Sequence, residues 1–421
     1  MMRLLRPLRD VPIALLWGGL ATSAVGDQLY AVALSWIAVA VFGTAAGYLT
    51  ALQAATVLLT ALGSGHWADR RAHRSVMIAA DLGRAAVLLL VVVTAWLAVG
   101  HPPAWGLILA VLVLAAGQAL FRPALQATLP GLLADRTLLP ATNGLLDSTD
   151  RIARLLGPGL VALLAGFLPV AHFLTLDAAT FVASAAAIGL IGRLRPLPRA
   201  APDAPESIGA AIARGFRAMR RHALLGYVLG STFVINGAWS AAMFLGLPLA
   251  IEHLGVRGPG GSGLSAYGLV ISAYGCTNLL ATLVVGNLTL PMRPGRLMFS
   301  GNMTVGVGIL LLGASMALPM PPAARLPCLM AASGLAAIGG PMSDITIATL
   351  RQTLLASADM AAAMRAYMVM NNLGLLTGML MAPELFRGVG IPRTLALCGA
   401  AIVFTGITGM LRHGDVRVAP A

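Results

Sequence analysis

The sequence predicts an all-α polytopic membrane protein of twelve transmembrane helices, and three observations lead there. Of 421 residues, 58% are hydrophobic and only 10% charged, with a mean hydropathy of +0.86; no soluble domain of this length has such a composition. Windows of roughly 20 apolar residues, the length that crosses about 30 Å of hydrocarbon, recur along the whole chain. The longest polar interruption, residues 193–222, falls in the middle and separates six windows from six.

The windows lie near residues 11–41, 45–65, 75–99, 104–128, 139–167, 170–192, 223–251, 264–288, 297–318, 324–350, 360–386 and 391–411. They are read as helices because a lipid-embedded segment must satisfy its backbone amides internally, and the period-two alternation of a barrel strand is missing. Arg3, Arg6 and Arg9 precede the first window, which is too long for a signal-peptide core and is followed by no small-residue cleavage site, so a retained helix is expected. The formal charge of +13 raises the question of nucleic acid, but its distribution answers otherwise. All 28 basic residues are arginines, and with a cytoplasmic N-terminus only Arg257, Arg325, Arg387 and Arg393 fall on the outer side. This is the positive-inside asymmetry, and it places both termini in the cytoplasm. Cys276, Cys328 and Cys398 each lie in an apolar window without ligand-like spacing, which argues against a disulfide framework or zinc site.

Residues 1–192 and 223–421 are therefore expected as six-helix halves, with 193–222 as a cytoplasmic linker. That linker holds seven arginines and the prolines 196, 198, 202 and 205. Within it Ile208, Ile212, Phe216 and Met219 repeat at helical spacing, as in an amphipathic helix lying on the membrane surface; a solvated linker helix fits the same pattern. An offset of about 220 residues aligns Gly65 with Gly286, Pro123 with Pro341, and Arg74 with the Arg293–Arg296 turn, as in diverged copies of one half. The second-half turn lacks an acid equivalent to Asp69.

Between the second and third windows stands Gly65-His-Trp-Ala-Asp69-Arg70-Arg71-Ala-His73-Arg74. Gly65 suits a tight turn, Asp69 suits the positive end of a nearby helix, and the arginines suit the cytoplasmic side. The alternative is a solvated loop whose arginines only set topology. The order resembles G-x-x-x-D-R-x-x-[RK], the loop of major facilitator superfamily transporters. Gly26-Asp27-Gln-Leu-Tyr-Ala-Val-Ala-Leu34, Phe121-Arg-Pro-Ala-Leu-Gln126, Ala141-Thr-Asn-Gly144 and Ala153-Arg-Leu-Leu-Gly-Pro-Gly159 are similar to a bacterial subfamily that includes the enterobactin exporter. The match is good over roughly residues 15–165 and loose in the second half. It implies export by proton antiport across the bacterial cytoplasmic membrane, with siderophores and hydrophobic drugs as substrate classes.

Several residues are candidates for that chemistry. Asp27 lies midway along the first window, where an ionised carboxylate is expensive, and is a proton-coupling or cavity candidate; a structural role, hydrogen-bonded to Ser23, Gln53 or Asn236, is the alternative. Asp344 in the tenth window has no basic neighbour within four residues and is a second candidate, for a proton or a cationic substrate. Arg122 needs an anion or an acid as partner. Asp177 and Glu384 are read as wetted acids near the outer surface. Asp147, Asp150, Arg151 and Arg154 suit intrahelical pairs, and with Asp69, Arg70, Arg74, Asp81 and Arg84 they form a candidate latch that exchanges partners as the halves rock. Gly157-Pro158-Gly159 predicts a kink and close packing in the fifth window. Arg122 and Asn236 are counted with Asp27 and Asp344 as proton-coupling or cavity candidates, while most of the other amides along the helices are expected to join them.

The implied partners are a small-molecule substrate, protons and the bilayer, with no nucleic acid and no cofactor, and a monomer is expected. A non-transporting receptor with the same fold is the competing reading, which the latch argues against. An enzyme is expected least, since the sequence carries no metal cluster, nucleophile elbow or phosphate loop.

Overall fold

The computed structural model describes residues 5–63, 73–97, 102–133, 135, 138–194, 208–287 and 293–415. Its regular elements are all helical: α1 (Val11–Phe42), α2 (Ala46–Gly63), α3 (His73–Leu97), α4 (Ala104–Leu132), α5 (Leu139–Leu164), α6 (Ala171–Leu194), α7 (Ile208–Arg220), α8 (Ala223–Ser240), α9 (Leu247–His253), α10 (Gly263–Gly286), α11 (Pro294–Ala317), α12 (Pro322–Leu354), α13 (Ser357–Val389) and α14 (Ile391–His413). A π-helical turn, Ala241–Gly246, joins α8 to α9.

Among the described residues nine stretches are long and apolar enough to cross a membrane. The first, Val11–Thr60, takes in both α1 and α2, which the turn at Gly43 divides with φ +55°. Neither α5 nor α13, both read as spans from the sequence, is among the nine: α5 carries Asp147, Asp150, Arg151 and Arg154, while the uncharged middle of α13 is made less apolar by Asn371 and Asn372. The chain is a multi-pass helical membrane protein.

Two compact units make it up, one of Met1–Val41 with Leu52–Ala204, the other of Phe42–Ala51 with Pro205–Ala421. In the first, α3 packs against α4 and α6, and Ile13, Leu16, Met77, Leu132 and Ile191 meet in one cluster. Trp17 on α1 donates its indole N–H to Thr149 Oγ1 on α5 at 2.9 Å.

In the second unit α11 runs against both α12 and α14. Lipid tails are as apolar as leucine, so helices in a bilayer associate through close contact of small residues. Here Gly301 faces Gly339, Gly306 faces Gly399, and Gly313 faces the Pro392 carbonyl; a Cβ on these three α11 glycines would stand 2.6–2.8 Å from an opposing carbonyl oxygen. Gly306→Val is expected to overpack this seam and cost about 1–3 kcal/mol, measured as a lower melting temperature of the purified protein in detergent. The linker sequence forms the amphipathic α7, but its apolar face is covered by protein: Ala218 and Met219 join Leu225 of α8 and Ala363 of α13 in one buried cluster, while Arg217 and Arg220 are exposed.

The start of α2 belongs to this second unit. There Tyr48 donates its hydroxyl to Glu384 at 2.6 Å, and Arg387 donates to Thr44 Oγ1 at 2.9 Å and to Glu384 at 3.3 Å. Glu384 is exposed, as its sequence position suggests. At the Arg293–Arg296 turn, where the sequence lacks an acid, Asp415 supplies one from beyond α14, accepting from Arg293 at 2.8 Å and from Arg296 at 2.7 Å. Both arginines and Asp415 are exposed, so Asp415→Asn is expected to cost no more than about 1 kcal/mol, and less at high salt. Melting curves of the variant at low and high ionic strength check this.

Candidate functional site

The first unit concentrates charge in its interior. Asp81 and Arg84 lie about 12 and 16 Å along α3 from its start at His73, at 1.5 Å per residue. Both are buried, at 0% and 5% exposure. They form an i,i+3 ion pair, and Arg84 also donates to the Ala80 carbonyl. The guanidinium carbon sits 4.2 Å from the centroid of Phe181 and 5.1 Å from that of Phe121, so cation–π contact replaces much of its lost hydration. Ser184 hydrogen-bonds Asp81. The second Asp81 oxygen is buried without a hydrogen-bond partner among the described residues.

Asp177 corrects the sequence reading. It is fully buried rather than wetted, because α6 turns it toward the α1 backbone at Gly26, where a Cβ would stand 2.5 Å from Asp177 Oδ1. A larger residue at 26 would displace the acid. Thr180 donates to Asp177 Oδ1 at 3.2 Å, and Oδ2 is buried without a partner among the described residues, as is the hydroxyl of Tyr30. Next to Gly26 stands Asp27, half-buried, which interacts electrostatically with Arg84, Asp81, Arg122 and Asp150, and also with Asp177.

Three carboxylates, Asp27, Asp81 and Asp177, therefore share an apolar interior with one buried guanidinium, Arg84. If all were ionised the group would carry two uncompensated negative charges in a medium that penalises each. Two carboxyl protons balance the count, and a protonated carboxyl gains a donor. This arrangement can hold and exchange protons.

The other sequence candidates fall elsewhere. Arg122 pairs with Asp150 at 3.5 Å, with side chains 61% and 43% exposed. Arg74 donates to the backbone carbonyls of Ile188 and Gly189 on α6 at 3.3 and 2.7 Å, and pairs with no carboxylate among the described residues. Asn236 donates to the Thr232 carbonyl of its own helix at 3.0 Å. Arg154 is exposed on α5. Pro158 lies inside a continuous α5, and Gly157 makes room for Gln28 of α1. Gly159 is half-buried. Gly65, Asp69 and Arg70 lie outside the described residues, as do the side chains of Asp147 and Arg151. Asp344, in the second unit, is exposed on α12.

The sequence reading missed Tyr30, Thr180, Phe181 and Ser184. A signal for them was present: Asp27 and Tyr30 are three apart, and Asp177, Thr180, Phe181 and Ser184 follow at i, i+3, i+4 and i+7, so each set shares a helix face.

A family model described as transmembrane secretion effector matches residues 3–416. No curated protein matches the chain. Among solved structures, a bacterial homologue of the iron transporter ferroportin in an inward-facing state superposes with a TM-score of 0.72 at 15% identity, covering 96% of this chain and 99% of that one. The nucleoside transporter NupG gives 0.70 at 14% identity over 95% and 98%, and the POT family transporter PepTSo 0.70 at 12% over 96% and 97%. At these identities the likeness is one of fold.

Proposed function

Because this chain belongs to the transmembrane secretion effector family of major facilitator transporters, we propose that it exports a small amphiphilic molecule, a siderophore, in exchange for protons by alternating access. A membrane transporter needs an internal group whose occupancy differs between its two facing states. The set of half-buried Asp27 with buried Asp81, Asp177 and Arg84 is the observation that supports proton coupling: it holds three acids to one guanidinium. Outward direction rests on the sequence resemblance and on the family description.

Proton entry into this set neutralises the acids and weakens the hold on Arg84; release restores it. Substrate bound in the other facing state would then travel against its gradient. In this reading α5 and α13 also cross the bilayer, both termini are cytoplasmic, the membrane is the bacterial inner membrane, and Gly65, Asp69 and Arg70 close the cytoplasmic side. Multidrug efflux is the second reading, favoured by the methionine-rich helix α13.

Inverted membrane vesicles provide the test. An inside-acid gradient is expected to drive uptake of exported substrate, and nigericin to abolish it. In cells, deletion is expected to retain an endogenous siderophore or to sensitise to amphiphilic drugs. Reduced uptake of an external nutrient, with secretion unchanged, reverses the direction.

A further inference from the structure

We infer that the linker helix α7 binds the headgroups of anionic phospholipids through Arg217, Arg220 and Arg221, on the face it turns away from the protein. An amphipathic helix at a membrane surface ordinarily dips its apolar side into lipid. Here that side is taken. Gly215 lies so close to α13 that a Cβ would have no room beside the Ala362 carbonyl, and Ala218 and Met219 are buried with residues of α8 and α13. Held in this way, the helix can neither roll nor sink. Arg217, Arg220 and Arg221 are left exposed. Arg221 lies one residue past α7, its backbone N–H bonded to the Arg217 carbonyl at 3.2 Å, so the three follow at i, i+3 and i+4 and share one side of the helix.

Their level is set by α8, which opens the apolar stretch Ala223–His253. Gly226, in the first turn of α8, lies against the α7 backbone, a Cβ there standing 3.5 Å from Arg220 Cα. Chain continuity therefore holds the arginines at the boundary where the span begins, which is the depth of lipid phosphates. None of the three side chains forms an ion pair with a described residue. Of the described acids near this end of the unit, Asp415 is taken by Arg293 and Arg296, and Asp359, in the first turn of α13, pairs with no arginine. Like charges at these spacings repel one another, and an external anion relieves the repulsion. A phosphate diester presents two free oxygens, which a guanidinium meets with parallel N–H donors. A zwitterionic headgroup offers the same phosphate but brings its own ammonium, so an anionic lipid is preferred. Basic segments flanking a span are drawn to anionic leaflets for the same reason.

The inference is independent of what the protein transports and is tested by binding alone. Purified full-length protein in neutral detergent is titrated with short-chain phosphatidylglycerol and phosphatidylcholine, and bound lipid is read by native mass spectrometry. The wild type is expected to prefer phosphatidylglycerol. Arg217→Gln, Arg220→Gln and Arg221→Gln combined are expected to weaken phosphatidylglycerol about fivefold per arginine and leave phosphatidylcholine within about twofold. Lysine at the same three positions should keep most of the preference, since the attraction is chiefly one of charge. Both variants should melt with the wild type, because the three side chains are exposed and unpaired. Should the triple glutamine variant unfold, Arg220→Gln alone decides, with an expected loss of about fivefold. A wild type without the preference overturns the inference, as does a glutamine variant that keeps it, since other arginines would then hold the lipid. Glycerol phosphate binding as tightly as phosphatidylglycerol would make this a site for soluble phosphate, and tighter binding of an acidic peptide of equal charge would make it a protein-docking face. Either result overturns the lipid assignment.

Discussion

Asp27→Asn protein is expected to reach the membrane, bind substrate and facilitate its downhill movement, while gradient-driven export falls to background. Asparagine keeps the shape of the side chain and its place beside Gly26, so the α1–α6 packing should survive. What it removes is a group that can exist both charged and neutral. Asp27 is the only half-buried carboxylate of the three, the others being fully enclosed, and a proton must reach the set through an accessible member. Asp177→Asn provides the contrast. Its position is enclosed, so export should persist with fewer protons moved per substrate, read as a weaker dependence on the imposed pH gradient. Full gradient-driven export by Asp27→Asn protein removes that residue from the mechanism.

Arg84→Met has the largest expected effect on stability. Methionine fills much of the space between Phe121 and Phe181, but Asp81 then stands buried with no counter-charge. Breaking a buried pair by removing one partner costs about 3–5 kcal/mol, and the loss of two cation–π contacts adds to it. The double variant Arg84→Met with Asp81→Leu should recover most of the loss, because an apolar pair in the same volume leaves no charge behind. Thermal melting in detergent distinguishes the cases. If Arg84→Met melts with the wild type, the pair is not what holds α3 to α6.

Part of this was legible in the sequence and part was not, for reasons that differ by residue. The helical membrane class follows from apolar length, a property of one dimension that the bilayer makes decisive. Asp27 is legible because a single acid in a long apolar run stands out. Asp177 is just as isolated in sequence, yet its burial is not legible there, since position along a helix says how deep a residue lies and not which way it faces. In α6, a helix apolar nearly all round, hydrophobic periodicity gives no direction; Gly26 on another helix decides it. Arg84 and Asp81 stand together in the candidate latch and do pair, and eleven residues of helix after His73 place that pair in the interior. The ring contacts of Trp239 with Phe244 and Tyr274 join α8, the π-turn and α10, and nothing local in any of them points to the others. Asp415 shows the same limit, supplying from the far end of the chain the acid that its turn lacks.

The glycine seam of α11 also bears on how the protein is made. Its grooves are filled on one side by α12, the next helix to be synthesised, but on the other by α14, the last. Until Ile391–His413 has left the ribosome and entered the lipid, Gly306 and Gly313 face lipid tails, which cannot enter so narrow a groove. At about 5–20 residues per second, the interval between completion of α11 at Ala317 and of α14 at His413 is roughly 5–20 s. During that interval the second unit is an inserted but open set of helices, exposed to membrane quality control. A chain truncated before Ile391 would stay in that condition and be degraded, while the first unit, whose helices are all upstream, could already have closed.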